Sequence, residues 1–232
     1  MPTITQRLEQ IRTQISDAEL AYHRQPGSVL LLAVSKTKPA EDIIAAYQAG
    51  QRHFGENYLQ EALIKQQALS GYDIIWHFIG PIQSNKTKAL AMHFDWVHSV
   101  DSLKIAKRLS EQRPGHLPPL AICLQVNISD EPSKSGISLA ELPQLCEQVA
   151  RLPNLKLRGV MAIPAPQQDF EQQRRPYNVL YQAVAKLGQA ELDTFSFGMT
   201  GDLKAAIAEG STIVRIGTAL FGERDYLTGK DS

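Results

Sequence analysis

Lys36 closes an apolar run, Val29-Leu30-Leu31-Leu32-Ala33-Val34, with only Ser35 between. Desolvation at such a place disfavours an ammonium and leaves more neutral amine, the form that attacks an aldehyde. The alternative is a lysine whose stem packs on a rim while its charge reaches water. Two further segments stand out near the C-terminal end, Ser196-Phe197-Gly198-Met199-Thr200-Gly201-Asp202 and Arg215-Ile216-Gly217-Thr218. Both set glycines beside hydroxyl residues. Glycine lets backbone N–H groups approach an anion, and a helix start favours negative charge. Taken singly, each segment is equally a tight turn with no ligand.

An aldehyde-capturing lysine and an anion cup on one framework suit a phosphorylated aldehyde. Pyridoxal 5′-phosphate (PLP) fits, since it is held through a lysine Schiff base with a protein group at its ring nitrogen. Arg215 is the candidate for that group. A permanently protonated guanidinium would donate to the nitrogen, disfavour its protonation and weaken the ring as an electron sink. A rim salt bridge is the other use of Arg215. A Schiff-base aldolase using Lys36 and a sugar phosphate is a further reading of the same residues.

These groups need a scaffold, and the element order supplies one. Ile4, Leu8, Ile11, Ile15 and Ala18 draw one helical stripe closed by Gly27. The unbroken apolar run 29–34 then reads as a strand buried on both faces, as in parallel sheets. Pro39, Glu41, Asp42 and Gly50 punctuate the next helix, and Lys38 before it reads as an exposed loop group. Further strands are expected at 52–55, 74–79, 96–99, 120–126, 157–163, 194–197 and 212–216. Helices are expected near 58–68, 86–92, 103–109 behind a cap at Asp101, from the Ser138/Glu141 capping box through Ala150, and around 203–207 ended by Gly210. The stripe Phe170, Tyr177, Leu180, Tyr181, Val184, Leu187 marks a long helix that Pro176 is expected to break in two.

Eight strands, each followed by a helix or helical turn, give an α/β fold: a single (β/α)8 TIM barrel with an extra N-terminal helix, one domain over residues 1–232. A doubly wound open sheet would want a glycine-rich phosphate turn after the first strand, where this chain has Ser35-Lys36-Thr37-Lys38-Pro39. Barrel enzymes gather their chemistry at the carboxyl ends of the strands and often bind phosphate after strands seven and eight, where both glycine turns fall. His77, ending the third strand, either faces the cofactor or is a buried histidine bonded to a carbonyl. Lys134 lies in a polar loop and reads as a solvated lysine or a secondary anion contact.

The totals narrow the classes. The 232 residues carry 24 Lys+Arg against 24 Asp+Glu, which argues against nucleic acid or an anionic membrane as main partner. Apolar residues make up 43%, enough for a sizeable core. Cys123 and Cys146 form no C-x-x-C pair and read as buried free thiols. No metal-ligand spacing appears among the histidines and cysteines. The first residues are not a signal peptide, and no run approaches the ~20 apolar residues of a membrane helix. A cytoplasmic setting follows as the expectation.

The chain resembles the pyridoxal phosphate homeostasis proteins (the YggS/PROSC group), which look like the barrel half of alanine racemase. The resemblance is carried by Leu32-Ala33-Val34-Ser35-Lys36-Thr37-Lys38-Pro39, Phe54-Gly55-Glu56-Asn57-Tyr58-Leu59-Gln60-Glu61, Trp76-His77-Phe78-Ile79-Gly80-Pro81-Ile82-Gln83-Ser84-Asn85-Lys86, Ser133-Lys134-Ser135-Gly136, Arg158-Gly159-Val160-Met161, Gly198-Met199-Thr200-Gly201-Asp202 and the run from Gly210 to Gly222. It implies a fold-type III PLP-binding barrel with the cofactor covalent at Lys36. It also implies ring contacts near Asn57, phosphate around Ser196, Gly198, Thr200, Gly217 and Thr218, and Arg215 near the ring nitrogen; His77 and Met199 are further candidate cofactor contacts. Where the family usually has Ser-Met-Gly-Met-Ser, this chain has Ser196-Phe197-Gly198-Met199-Thr200, which keeps a hydroxyl at Thr200.

The implied function is intracellular PLP homeostasis: carrying or buffering the cofactor without appreciable turnover, as a monomer, with PLP-dependent apo-enzymes as recipients. A racemase of low activity is the alternative. Racemases set a tyrosine opposite the lysine from a second domain and partner, because two-sided proton transfer needs an acid/base group on each face. Tyr58 and Tyr226 are the tyrosines placed near the mouth.

Overall fold

The computed structural model describes residues 2–129 and 135–223. Eight parallel strands run in sequence order: β1 (Leu30–Val34), β2 (His53–Glu56), β3 (Ile75–Phe78), β4 (Trp96–Val100), β5 (Leu120–Val126), β6 (Leu155–Ala162), β7 (Thr194–Ser196) and β8 (Ile213–Ile216). Pairing of β8 back onto β1, with Ala33 opposite Ile216, closes the barrel and excludes the open sheet. The outer helices are α1 (Ile4–Ala21), α2 (Ala40–Gln48), α3 (Leu59–Ala68), α4 (Thr87–His93), α5 (Leu103–Gln112), α6 (Leu142–Ala150), α7 (Phe170–Ala185), α8 (Leu203–Ala208) and the short α9 (Thr218–Phe221).

Strand side chains alternate between two layers, since successive Cβ atoms point to opposite faces. Ala33, Phe54, Phe78, Val97, Ile122, Leu124, Val160 and Val214 belong to the continuous core shared with the helices. Its helical side includes Ile43, Ala62, Leu90, Leu109, Leu145 and Leu180. The opposite set, with Leu32 against Gly55, fills the barrel. That interior is unusually polar: His77, His98, Ser196 and Arg215 are all buried. The extra helix α1 buries Leu8, Ile11, Ile15 and Ala18 and packs on α2, α8 and α9, covering the seam where β8 meets β1. Cys123 and Cys146 are buried free thiols, and burial raises them to about 12 and about 11.

Three expectations need correction. Pro176 does not break its helix: α7 runs unbroken through it. A mid-helix proline costs ~3 kcal/mol. Burying Tyr177, Leu180 and Val184 on one face, at about 1.5–3 kcal/mol for a large apolar side chain, offsets that cost. The cap of α5 is Ser102, whose hydroxyl accepts from Ile105 N–H, and Asp101 only accepts from Ser102. Lys38 is half-buried, and its Nζ donates to the carbonyl of Glu223 at 2.6 Å, so it is not an exposed loop group. The Ser138/Glu141 box forms as expected, with both reciprocal bonds, one turn ahead of α6.

Candidate functional site

Lys36 sits in a tight turn immediately after β1. Alternation from Leu32 and Val34 points residue 36 to the inner face of the barrel mouth. The turn is held from both sides of the lysine. Ser35 N–H donates to Gly55 O at 3.0 Å, and Ser35 Oγ donates to Glu56 Oε1 at 2.7 Å. Thr37 takes φ +62°, rare for a β-branched residue, and its N–H donates to Glu61 Oε1 at 2.6 Å. Lys65 joins the two anchors, donating to Ser35 O (2.7 Å), Glu56 Oε1 (2.8 Å) and Glu61 Oε1 (2.5 Å). Burial pushes the Glu56 carboxyl up, against the pull of Lys65 and Ser35. Sequence reasoning missed Glu56, Glu61 and Lys65 as site residues. Their only signal was the Glu56…Glu61…Lys65 spacing, which brings the latter two together one helical turn apart.

Lys36, Val34 and Lys38 share a small recess with Gly217, Thr218 and Gly222. The first and last strands thus bring the amine beside one of the two glycine turns. Gly217 precedes α9, and Gly198 takes φ +83° after β7. A Cβ on Gly198 would stand 2.5 Å from Ala206 Cβ, so the turn tolerates only glycine there. Among the described residues, the backbone N–H groups of Thr200, Gly201, Gly217 and Thr218 have no hydrogen-bond acceptor. Met199 N–H, in contrast, donates to Asp202 Oδ1 at 2.7 Å within its own turn. Asp202 is fixed in turn by Tyr177 Oη, which donates to Oδ2 at 2.7 Å. Burial and the Asp202 charge drive the Tyr177 phenol far above its ordinary range.

Asn57 follows β2 directly. Its Oδ1 is buried and has no partner among the described residues, a costly state unless a ligand satisfies it. Gly80, after β3, lies so close that an added Cβ would be 2.1 Å from Asn57 O, which locks that backbone.

Arg215 is inside the barrel. Nη1 donates to Ser196 O and, at 2.9 Å, to Ser196 Oγ, while Nη2 donates to Ala162 O at 3.0 Å. Those bonds occupy three of its five N–H groups. It is therefore not a rim salt bridge. Ser196 is drawn away from the glycine turn: its hydroxyl lies in the interior between Arg215 and His98, at 2.8 Å from His98 Nδ1. His77 bonds to two other histidines, His98 (2.8 Å) and His53 (2.9 Å), rather than to a carbonyl. Burial holds His77 well below the ordinary histidine range and His98 down at about 3. Lys134 and Tyr226 lie outside the described residues. Among the described residues no group of His, Cys, Asp and Glu could hold a metal ion, and no helix is long and apolar enough to cross a membrane.

A lysine at the end of the first strand and an arginine inside the last, on a closed parallel barrel with an added N-terminal helix, define a barrel of the alanine racemase N-terminal type. Residues 7–225 match the family model described as alanine racemase, N-terminal domain. A protein of Pseudomonas aeruginosa is 57% identical over 226 residues, spanning 97% of this chain and 98% of its own. One of Escherichia coli K12 is 53% identical over 231 residues, spanning 97% and 99%. Both are named pyridoxal phosphate homeostasis protein, and this chain belongs to that family. PipY of Synechococcus elongatus, solved without PLP, is 38% identical with a TM-score of 0.85, covering 95% of this chain and 100% of PipY. The same protein solved with PLP bound gives a TM-score of 0.84.

Proposed function

We propose that this chain binds PLP through a Schiff base on Lys36 and serves intracellular PLP homeostasis, carrying or buffering the cofactor without appreciable turnover. The observation that carries the reading is the shared recess of Lys36 and the Gly217–Thr218 turn. The unsatisfied Asn57 Oδ1 and the unbonded N–H groups of the two glycine turns fit a ligand with a polar ring and an anionic tail. The relatives' names and the PLP-bound structure of PipY support the same conclusion.

Bound PLP supplies an aldehyde for capture by an amine and a ring able to withdraw electrons. The chain's own residues divide the remaining work. Lys36 Nζ is the attachment point, placed by the Ser35 and Thr37 anchors. The N–H groups of Thr200, Gly201, Gly217 and Thr218, with the hydroxyls of Thr200 and Thr218, would hold the phosphate, Gly198 shaping the cup and Met199 closing its turn. Asn57 orients the ring. Arg215, whose guanidinium stays protonated, would donate to the ring nitrogen, which would leave that nitrogen unprotonated and restrain carbanion chemistry. Ser196 and His77 act on the cofactor through Arg215.

Tyr177 on α7 donates its hydroxyl to Asp202 and is held in the protonated form, so it does not serve as a base. The protein is proposed to work as one domain over residues 1–232, as a monomer, in the cytoplasm, with PLP-dependent apo-enzymes as recipients. Incubation of the PLP-loaded protein with a panel of amino acids tests the carrier reading. Stable visible absorbance with no racemised or decarboxylated product is expected, and saturable turnover would contradict it.

A further inference from the structure

Five side chains form one unbroken line across the inside of the barrel. His53 Nδ1 is 2.9 Å from His77 Nε2, His77 Nδ1 is 2.8 Å from His98 Nε2, and His98 Nδ1 is 2.8 Å from Ser196 Oγ. Arg215 Nη1 then meets Ser196 Oγ at 2.9 Å. The members come from β2, β3, β4, β7 and β8. Every link has hydrogen-bond length, so every link has a donor and an acceptor.

A guanidinium has donors and no acceptor, whereas a neutral imidazole donates from one nitrogen and accepts at the other. Arg215 therefore donates to Ser196, whose hydroxyl proton goes to His98 Nδ1. That leaves His98 donating from Nε2 to His77 Nδ1, and His77 donating from Nε2 to His53 Nδ1. The far end is not sealed. His53 is only partly buried and lines a cavity of ≈ 610 Å³ at the amino-terminal face of the barrel.

We infer that His98 and His77 are positioning residues for Ser196 and Arg215, joined in a one-way hydrogen-bond chain of Nε2–H imidazoles whose open end is His53 on the opposite face of the barrel. Its consequence for the cofactor rests on the proposed role of Arg215; the chain itself does not. Burial keeps His77 and His98 uncharged, as a directed chain requires. His53 is lowered less: burial lowers it and Asp95 opposes. The groups around it are Asp95 and His77, with Arg12, Glu19 and Arg52 on the cavity wall.

The chain ties the two faces together in a balanced way. When the His77 Nε2 proton passes to His53 Nδ1, His77 regains one at Nδ1 from His98, and His98 regains one at Nδ1 from Ser196. The hydroxyl is restored by one proton from water at the carboxyl-end mouth of the barrel, Arg215 keeping its own protons. One proton enters at Ser196, one positive charge appears on His53, and His53 releases its Nε2 proton to cavity water. Charging His53 therefore reverses every link and turns the Ser196 hydroxyl off His98.

Nitrogen-15 spectra of the imidazoles and of Arg215 in full-length, cofactor-free protein, recorded across the pH range in which histidines titrate, test this. His77 and His98 should show Nε2–H tautomers at neutral pH, and the Arg215 Nε–H resonance should shift with the midpoint of His53. His53→Phe, at the partly exposed end, should abolish that shift and leave the barrel folded; His53→Asn serves if the phenylalanine is not tolerated. A neutral His98 protonated at Nδ1, or an Arg215 resonance indifferent to His53 in the wild type, would overturn the inference. Because no PLP is present, a chain that forms as described in a protein that fails to take up PLP would count against the proposed function alone.

Discussion

The backbone N–H of Thr37 donates to Glu61 Oε1 at 2.6 Å, so the residue after Lys36 is held by α3, not by its own strand. The left-handed conformation of Thr37 carries strain that such an external tie can sustain. Glu61→Ala removes the tie and leaves Lys65 on Glu56. A charge-assisted bond of this kind is worth about 1.5–3 kcal/mol. PLP uptake followed by visible absorbance should therefore weaken about tenfold or more, and Glu61→Gln should recover part of the loss.

Gly198→Ala should damage the proposed phosphate cup more than the barrel. The substitution puts a Cβ at positive φ and 2.5 Å from Ala206 Cβ, and α8 must shift to admit it. Overpacking of this kind costs about 1–3 kcal/mol. Titration with inorganic phosphate and with PLP should show both affinities falling together, while Gly115→Ala, away from both glycine turns and where a Cβ meets open space, should leave them near wild type.

Removing Arg215 should cost stability even without cofactor. Arg215→Leu leaves the carbonyls of Ser196 and Ala162 without their donor in the buried interior. Stranding buried polar groups costs about 1–3 kcal/mol each. Urea unfolding of the cofactor-free protein should show a loss of a few kcal/mol by the same scale, and an unchanged midpoint would contradict the bonding described here.

Acid should unfold the protein through its interior histidines. The folded His77 and His98 resist protonation, while the unfolded chain accepts protons near pH ~6.5. The folded state binds fewer protons in that window, so stability is fully present above it and is lost as pH falls toward the folded values. Each histidine contributes a slope of about 1.4 kcal/mol per pH unit. The urea midpoint should drop steeply between about pH 6 and about pH 4, and less steeply in His98→Gln.

The barrel was legible because buried parallel strands leave unbroken apolar runs, such as 29–34, that no helix period explains. The places of Lys36, Arg215 and the glycine turns at the first and last strands were legible because strand ends and φ-permissive residues mark themselves locally. The histidine line was not: His53, His77 and His98 stand 24 and 21 residues apart, and Ser196 a further 98, so only closure of the barrel makes them neighbours. Pro176 misled because local propensity was set against a tertiary contact, the stacking of Tyr177 on Phe197 at 5.0 Å, that sequence does not display. Ser196 looked like part of the phosphate turn by adjacency to Gly198, but strand alternation sends its hydroxyl inward.

The central claim is chemical, and peptide mapping after borohydride reduction of the PLP-treated protein addresses it most directly. A phosphopyridoxyl mass increment confined to the peptide containing Lys36, and lost in Lys36→Ala, is the expected result. An increment that persists in Lys36→Ala, on Lys38 or Lys134, or no increment in the wild-type protein, would contradict the account.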